Sequence, residues 1–131
     1  MTTTAPYGTI DRPLDACRIA EAAGATYVAR STAFHVKHLT QMIAGGLANH
    51  GFSLIEAMVQ CPTAYGRKNR MGSPAAMLSW MKDAAVMKTA WDKLPPEKRT
   101  AEQFPIGLLC ACAGEEYGTA NAAIQQRAGG L

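Results

Sequence analysis

Long apolar runs are what this sequence most plainly lacks. The longest candidates, such as Ile106–Cys112, stop far short of the roughly 18 residues that a membrane-spanning helix needs, so no membrane partner is expected. The N-terminal stretch Met1–Gly8 has neither a basic start nor an apolar centre, and no secretory leader is expected from it. Charge of one sign is also scarce: charged residues make up 18% of the chain and the net charge is +3. Three cations in one loop do not make a basic face, and with aromatics at only 7% no stacking platform accompanies them, which argues against a nucleic-acid partner. The four cysteines are irregularly spaced. Cys110-x-Cys112 has no second pair or histidine beside it and does not make a zinc site, so all four are read as reduced thiols of a cytoplasmic protein. Walker loops, dinucleotide fingerprints, nucleophile elbows, zinc-protease motifs and internal repeats are all absent.

What is there is a globular composition, 48% apolar over 131 residues, enough for one domain. Asp11 followed by Pro13 reads as a helix start, with the helix running to about Ala23 and stopping at Gly24. Thr26–Arg30 has the β-branched and aromatic content of a short buried strand. Ser31 or Thr32 can cap a second helix from about Phe34 to Asn49, weakened near its end by Gly45 and Gly46. The strongest strand is Phe52–Gln60, nearly continuous in apolar residues and carrying Glu56 as its only charge. Such a pattern is expected of a strand covered on both faces. Thr63–Gly72 reads as a loop, and Ser73-Pro74 opens a third helix to about Val86. A polar linker, Lys93–Arg99, precedes an apolar stretch, Phe104–Cys112, and a weak alanine-rich helix.

Alternation of this kind predicts an α/β fold, a small parallel sheet flanked by helices. Two or three strands make a very small sheet whose edges need cover, so the sequence reads as part of a domain.

The stretch most informative about function is Gln60–Arg70, which leaves the carboxyl end of the main strand, where open α/β sheets bind their ligands. Cys61, fixed by Pro62, admits three roles there: nucleophile, metal ligand or inert strand end. Arg67, Lys68 and Arg70 suit a phosphate or carboxylate, or a solvated surface loop. Cys17 on the first helix is read as packing, Cys110 and Cys112 as small apolar side chains, and His35 and His38 as surface or helix-edge residues.

Gly51-Phe-Ser-Leu-Ile-Glu-Ala-Met-Val-Gln-Cys-Pro-Thr-Ala-Tyr-Gly-Arg-Lys-Asn-Arg70 resembles the beta subunit of 2-oxoacid:ferredoxin oxidoreductases, and within that family the 2-oxoglutarate type. Thr2–Gly8, Gly24–Arg30, the His-Val-x-x-Leu helix, Met77-Leu-x-Trp80 and Phe104–Leu108 resemble the same family in order. The resemblance corresponds to the C-terminal half of such a subunit. It implies that residues 1–93 are the C-terminal part of a thiamine-pyrophosphate-binding α/β domain and 94–131 a linker and tail segment. The implied activity is oxidative decarboxylation of a 2-oxoacid, 2-oxoglutarate by this resemblance, to an acyl-CoA with reduction of ferredoxin. Implied cofactors of the complete enzyme are thiamine pyrophosphate with magnesium and a [4Fe–4S] cluster, to which Cys61 would give one ligand. Implied partners are the N-terminal half of the beta subunit, the alpha subunit, ferredoxin, the 2-oxoacid and coenzyme A. From their charge and position alone, Arg67, Lys68 and Arg70 are expected near the entrance for an anionic partner, either a dicarboxylate substrate or the phosphates of coenzyme A. The Met-Thr-Gly-Gly-Gln stretch and the Cys-x-x-Cys region of the family are not in this sequence. The competing reading is a non-catalytic α/β assembly module, standalone or truncated.

Overall fold

A computed structural model describes residues 5–129. Met1–Thr4, with the leader expectation and part of the N-terminal resemblance, and Gly130-Leu131 lie outside the described residues. The elements are α1 (Ala16–Ala22), β1 (Tyr27–Thr32), α2 (Val36–Ala48), β2 (Ser53–Met58), α3 (Pro74–Ala84), β3 (Ala85–Met87), the one-turn α4 (Lys88–Trp91), β4 (Phe104–Ala111) and α5 (Tyr117–Gly129). No helix among the described residues is long and apolar enough to cross a membrane.

The strands form one sheet in the order β2-β1-β4-β3. β1 pairs with β2 in parallel, with Tyr27 opposite Ser53 and Thr32 opposite Met58, and β3 pairs with β4 in parallel. The expected α/β layering is therefore present, with one difference from an all-parallel sheet: β1 and β4 are antiparallel, with a bulge at Val28/Ala29. The cause lies in α3, which runs straight into β3 without a loop. Ala85 sits level with Phe104, past the Arg30–Gly107 pair and so at the carboxyl edge of β1. A strand starting at that edge has to run back against β1. Phe104–Ala111, expected within a tail segment, thus lies in the middle of the sheet. Its tripeptide neighbour β3, which sequence reading took as the end of a helix, has no periodicity long enough to announce it.

Local chemistry sets the other boundaries. α1 starts later than Asp11 because Asp15 is the N-cap, accepting from the Arg18 N–H at 3.3 Å, while Asp11 takes the Thr9 hydroxyl at 2.9 Å. Ser31 and Thr32 do not cap α2 but extend β1, and His35 stands at the N-cap. Side chains alternate along β1: Val28 joins Cys17, Ala20 and Ala25 in the core under α1, while the Tyr27 hydroxyl donates to the Met42 carbonyl of α2 at 2.9 Å. Gly45 and Gly46, poor helix formers, let α2 lie close on the sheet. A Cβ on Gly45 would meet the Tyr27 hydroxyl, and one on Gly46 the Ile55 Cδ1, each at 2.5 Å.

Candidate functional site

The carboxyl ends of β1 and β2 lie side by side, and each leads into polar chemistry. Ser31 and Thr32 have no exposed surface. Their hydroxyls are hydrogen-bonded to imidazoles on the start of α2, Ser31 Oγ to His38 Nδ1 and Thr32 Oγ1 to His35 Nδ1, both at 2.8 Å. Burial, and then the neighbouring His38, hold the His35 pKa below its usual value. Both histidines are half-buried, His35 at the N-cap of α2 as a helix-edge reading expects, and both are bound to the sheet, which the reading as surface or helix-edge residues did not include. The signal available was their spacing from Ser31 and Thr32, hydroxyl residues ending an otherwise apolar strand.

Beyond β2 the chain passes Val59 and Gln60 to Cys61 and then turns as a wide single-turn helix, Pro62–Gly66. The turn is closed by Gly66 N–H on the Cys61 carbonyl at 2.9 Å. What was expected as a loop is helical because proline suits the first position and Gly66 fits tightly: a Cβ there would lie 2.5 Å from Met77 Sδ. Asn69 Nδ2 donates to the Tyr65 carbonyl at 2.8 Å and stiffens the exit, after which Arg70 takes a left-handed φ of 54°. Cys61 is exposed. Backbone N–H groups of Tyr65 and Ala64, then the Thr63 hydroxyl, favour its thiolate and lower its pKa. Beside it opens an apolar cavity of about 280 Å³ lined by Met58, Gln60, Tyr65, Met77 and Trp80 among others. Gln60 Oε1 is buried with no hydrogen-bond partner.

Arg67, Lys68 and Arg70 follow the Pro62–Gly66 turn, all exposed, and none lines that cavity. Cys110 is half-buried against the α1 core and Cys112 is exposed. Cys17 is buried among the core residues as expected, and its thiol also donates to Glu56 Oε2 at 3.3 Å. Glu56, with Asp15, pairs with the buried Arg30, a cluster that sequence reading did not assemble. Its signal was a single cation on β1 and a single anion on β2.

A [4Fe–4S] cluster needs four thiolates. Cys61, exposed and favoured as thiolate, fits one such ligand, and no group of three or more metal-ligating side chains occurs among the described residues.

The fold is an α/β layered sheet with an exposed cysteine, Cys61, just beyond the carboxyl end of β2. No family model matches the chain. Over 96 residues, 73% of the chain, it is 50% identical to the 2-oxoglutarate synthase subunit KorB of Methanothermobacter marburgensis, of which it covers 34%. It is 47% identical over 95 residues, 72% of the chain, to the same-named subunit of Methanothermobacter thermautotrophicus, covering 33% of it. Among solved structures, a 2-oxoglutarate:ferredoxin oxidoreductase from Magnetococcus marinus, with 2-oxoglutarate, coenzyme A and succinyl-CoA bound, matches 98% of this chain and 44% of its own with a TM-score of 0.69 at 23% identity. Over most of its length the chain is thus similar to 2-oxoglutarate synthase subunits, and it spans about a third of the length of the curated relatives it matches.

Proposed function

We propose that the chain is the C-terminal part of an oxidoreductase beta subunit that, with its missing N-terminal half and an alpha subunit, decarboxylates 2-oxoglutarate oxidatively to an acyl-CoA and reduces ferredoxin. The observation that carries this reading is 50% identity to a 2-oxoglutarate synthase subunit over 96 residues. Residues 1–93 then complete a thiamine-pyrophosphate-binding domain, and 94–131 extend it. When bound, thiamine pyrophosphate with magnesium supplies an electron sink, and a [4Fe–4S] cluster supplies a one-electron relay. On this chain Cys61 is the residue to hold that cluster, as one of four thiolates. Its exposure and its stabilised thiolate support the assignment. No residue described here is assigned to the diphosphate or magnesium. Arg67, Lys68 and Arg70 offer an anion contact for the dicarboxylate substrate or for the phosphates of coenzyme A. The proposed location is the cytoplasm.

The test is anaerobic purification of the chain alone and of the chain co-expressed with the rest of such an enzyme. Iron, sulfide and 2-oxoglutarate-dependent dye reduction are measured on each. The chain alone is expected to be colourless and the assembly to hold iron and turn over, with Cys61→Ser losing the iron. An assembly without iron overturns the reading. If replacing Arg67, Lys68 and Arg70 together by glutamine leaves the affinity for both 2-oxoglutarate and coenzyme A unchanged, the anion contact is wrong.

A further inference from the structure

The end of β4 carries two cysteines that the proposed function leaves without a role. Cys110 stands opposite Val28. The Cys112 N–H donates to the Thr26 carbonyl at 2.9 Å, so pairing with β1 holds the backbone one residue past the end of β4. A Cβ on Gly114 would strike the side chain of Thr26, so the chain beyond Cys112 also lies close on this strand. Alternate residues of a strand share a face. Here it is the face covered by α1, where Cys110 packs against the cluster of Cys17, Ala20, Ala25 and Val28. Cys110 is half-buried and Cys112 is exposed. Cys112 also borders a cavity of about 440 Å³ with Thr26, Gly51 and Glu116, which gives solutes a path to it. The pair lies at the amino end of β1, whereas Cys61 follows the carboxyl end of the parallel strand β2.

Strand geometry decides what two such thiols can hold. Residues two apart in an antiparallel strand are about 6.8 Å apart, and their side chains stand nearly parallel. A disulfide brings its Cβ atoms to about 3.5–4.5 Å, so direct closure would pull the backbone out of its pairing. Thiolate–metal bonds of about 2.3 Å put nearly twice that distance between two sulfurs on one ion, which bridges the gap with the backbone in place.

The number of ligands selects the ion. Zinc takes three or four protein ligands, and no group of three metal-ligating side chains occurs among the described residues. Two thiolates alone suit a soft monovalent ion that accepts two-fold coordination, and Cu(I) is the ion that soft thiolates select. The electrostatics agree. Burial first, and then the charges of Cys112 and Glu21, raise the Cys110 pKa, and a cation between the sulfurs reverses that effect.

We infer that Cys110 and Cys112 form a two-thiolate site for a soft monovalent cation, Cu(I), at the end of β4. Binding forms two copper–sulfur bonds and releases the two thiol protons, with no change of oxidation state. The site is independent of the oxidoreductase proposal and of Cys61.

The test titrates Cu(I) anaerobically into the full chain against a chromophoric Cu(I) chelator, bathocuproine disulfonate. Wild type, Cys61→Ser, Cys110→Ser and Cys112→Ser are compared, with X-ray absorption to count the sulfur neighbours of copper. Wild type and Cys61→Ser are expected to form a one-to-one complex with two sulfurs on the ion. Cys110→Ser and Cys112→Ser are expected to bind about a hundredfold or more weakly, because one arm of the chelate is lost. Cys112 is exposed, so Cys112→Ser is expected to melt as the wild type does and carries the test even where Cys110→Ser disturbs the core. Equal affinity in Cys112→Ser overturns the inference, as does a wild-type chain that leaves all copper on the chelator. Loss of copper in Cys61→Ser overturns it too, since Cys61 is then the ligand. Closure of a Cys110–Cys112 disulfide by glutathione disulfide in the folded chain, with the Cys112 amide still protected from exchange, would show that the sulfurs can meet directly and overturns the bridging geometry.

Discussion

Arg30 of β1 and Glu56 of β2 stand opposite each other in the parallel register and are joined through Arg30 Nε and Glu56 Oε2. Arg30 is 8% exposed, and its second fork arm, Nη2, donates to Asp15 Oδ1 at 2.8 Å. Since Asp15 also caps α1, one guanidinium ties a helix start to two strands. Burial opposes its charge, but the Glu56 hydrogen bond and the surrounding anionic groups outweigh that and raise its pKa.

Removing one partner of a buried pair leaves the other without compensation. Arg30→Met is expected to cost about 3 kcal/mol, at the low end for such sites because both carboxylates reach solvent. Glu56→Gln should cost less, since a neutral oxygen still accepts from Arg30. The double variant should be more stable than the sum of the two single costs predicts. Urea midpoints at unchanged slope measure all three. A loss of under about 0.5 kcal/mol for Arg30→Met would place the pair among neutral surface contacts.

Why this cluster escaped the sequence while β2 did not is a matter of range. The apolar run Phe52–Val59 announces a strand by itself, and Ser73-Pro74 announces α3, whose Ser73 Oγ does accept from the Ala76 N–H at 3.2 Å. Arg30, Glu56 and Asp15 are 26 and 15 residues apart, so their meeting depends on strand register, which no local pattern carries. Ser31 and Thr32 were ambiguous for a different reason. A hydroxyl before a helix suits an N-cap, and here burial in the sheet won and the hydroxyls bonded His38 and His35 instead. Cys61 was legible because proline and the strand end are local signals.

Thiol chemistry separates the cysteines. Burial first, and then the hydrogen bond to Glu56 and its charge working against Arg30, push Cys17 to about 11. At about pH 8 its thiolate fraction falls roughly a hundredfold below that of an ordinary cysteine. Cys61 is exposed and lowered. With iodoacetamide under native conditions, peptide mass spectrometry should find Cys61 alkylated first and Cys17 last. Equal rates for the two would mean that neither environment exists in solution.

Gly66 makes a second local prediction. An added Cβ would sit 2.5 Å from Met77 Sδ and 3.4 Å from the Cys61 carbonyl. Met77 is flexible and borders the cavity beside Cys61, so it can give way in part. Gly66→Ala should destabilise by about 1–2 kcal/mol. Combined with Met77→Ala, its added cost should shrink by about 1 kcal/mol, because the clash is gone. Additive urea midpoints would place the strain in the turn's backbone instead.

His35 gives the chain a pH dependence whose sign follows from its surroundings. Its pKa is lowered in the fold, by burial first and by His38 second, so the unfolded chain binds the proton more readily. The stabilisation is therefore present above the ordinary histidine value and is lost as pH falls through the folded one. Asparagine at position 35 can keep a hydrogen bond to Thr32 Oγ1 without titrating. Between about pH 7.5 and 5 the melting temperature of the wild-type chain should fall more steeply than that of His35→Asn. The two curves should run parallel above about pH 7.5, where neither side chain carries charge. Parallel curves over the whole range would show that the Thr32–His35 contact imposes no penalty on the imidazolium. A steeper fall in His35→Asn would assign the acid sensitivity to other groups.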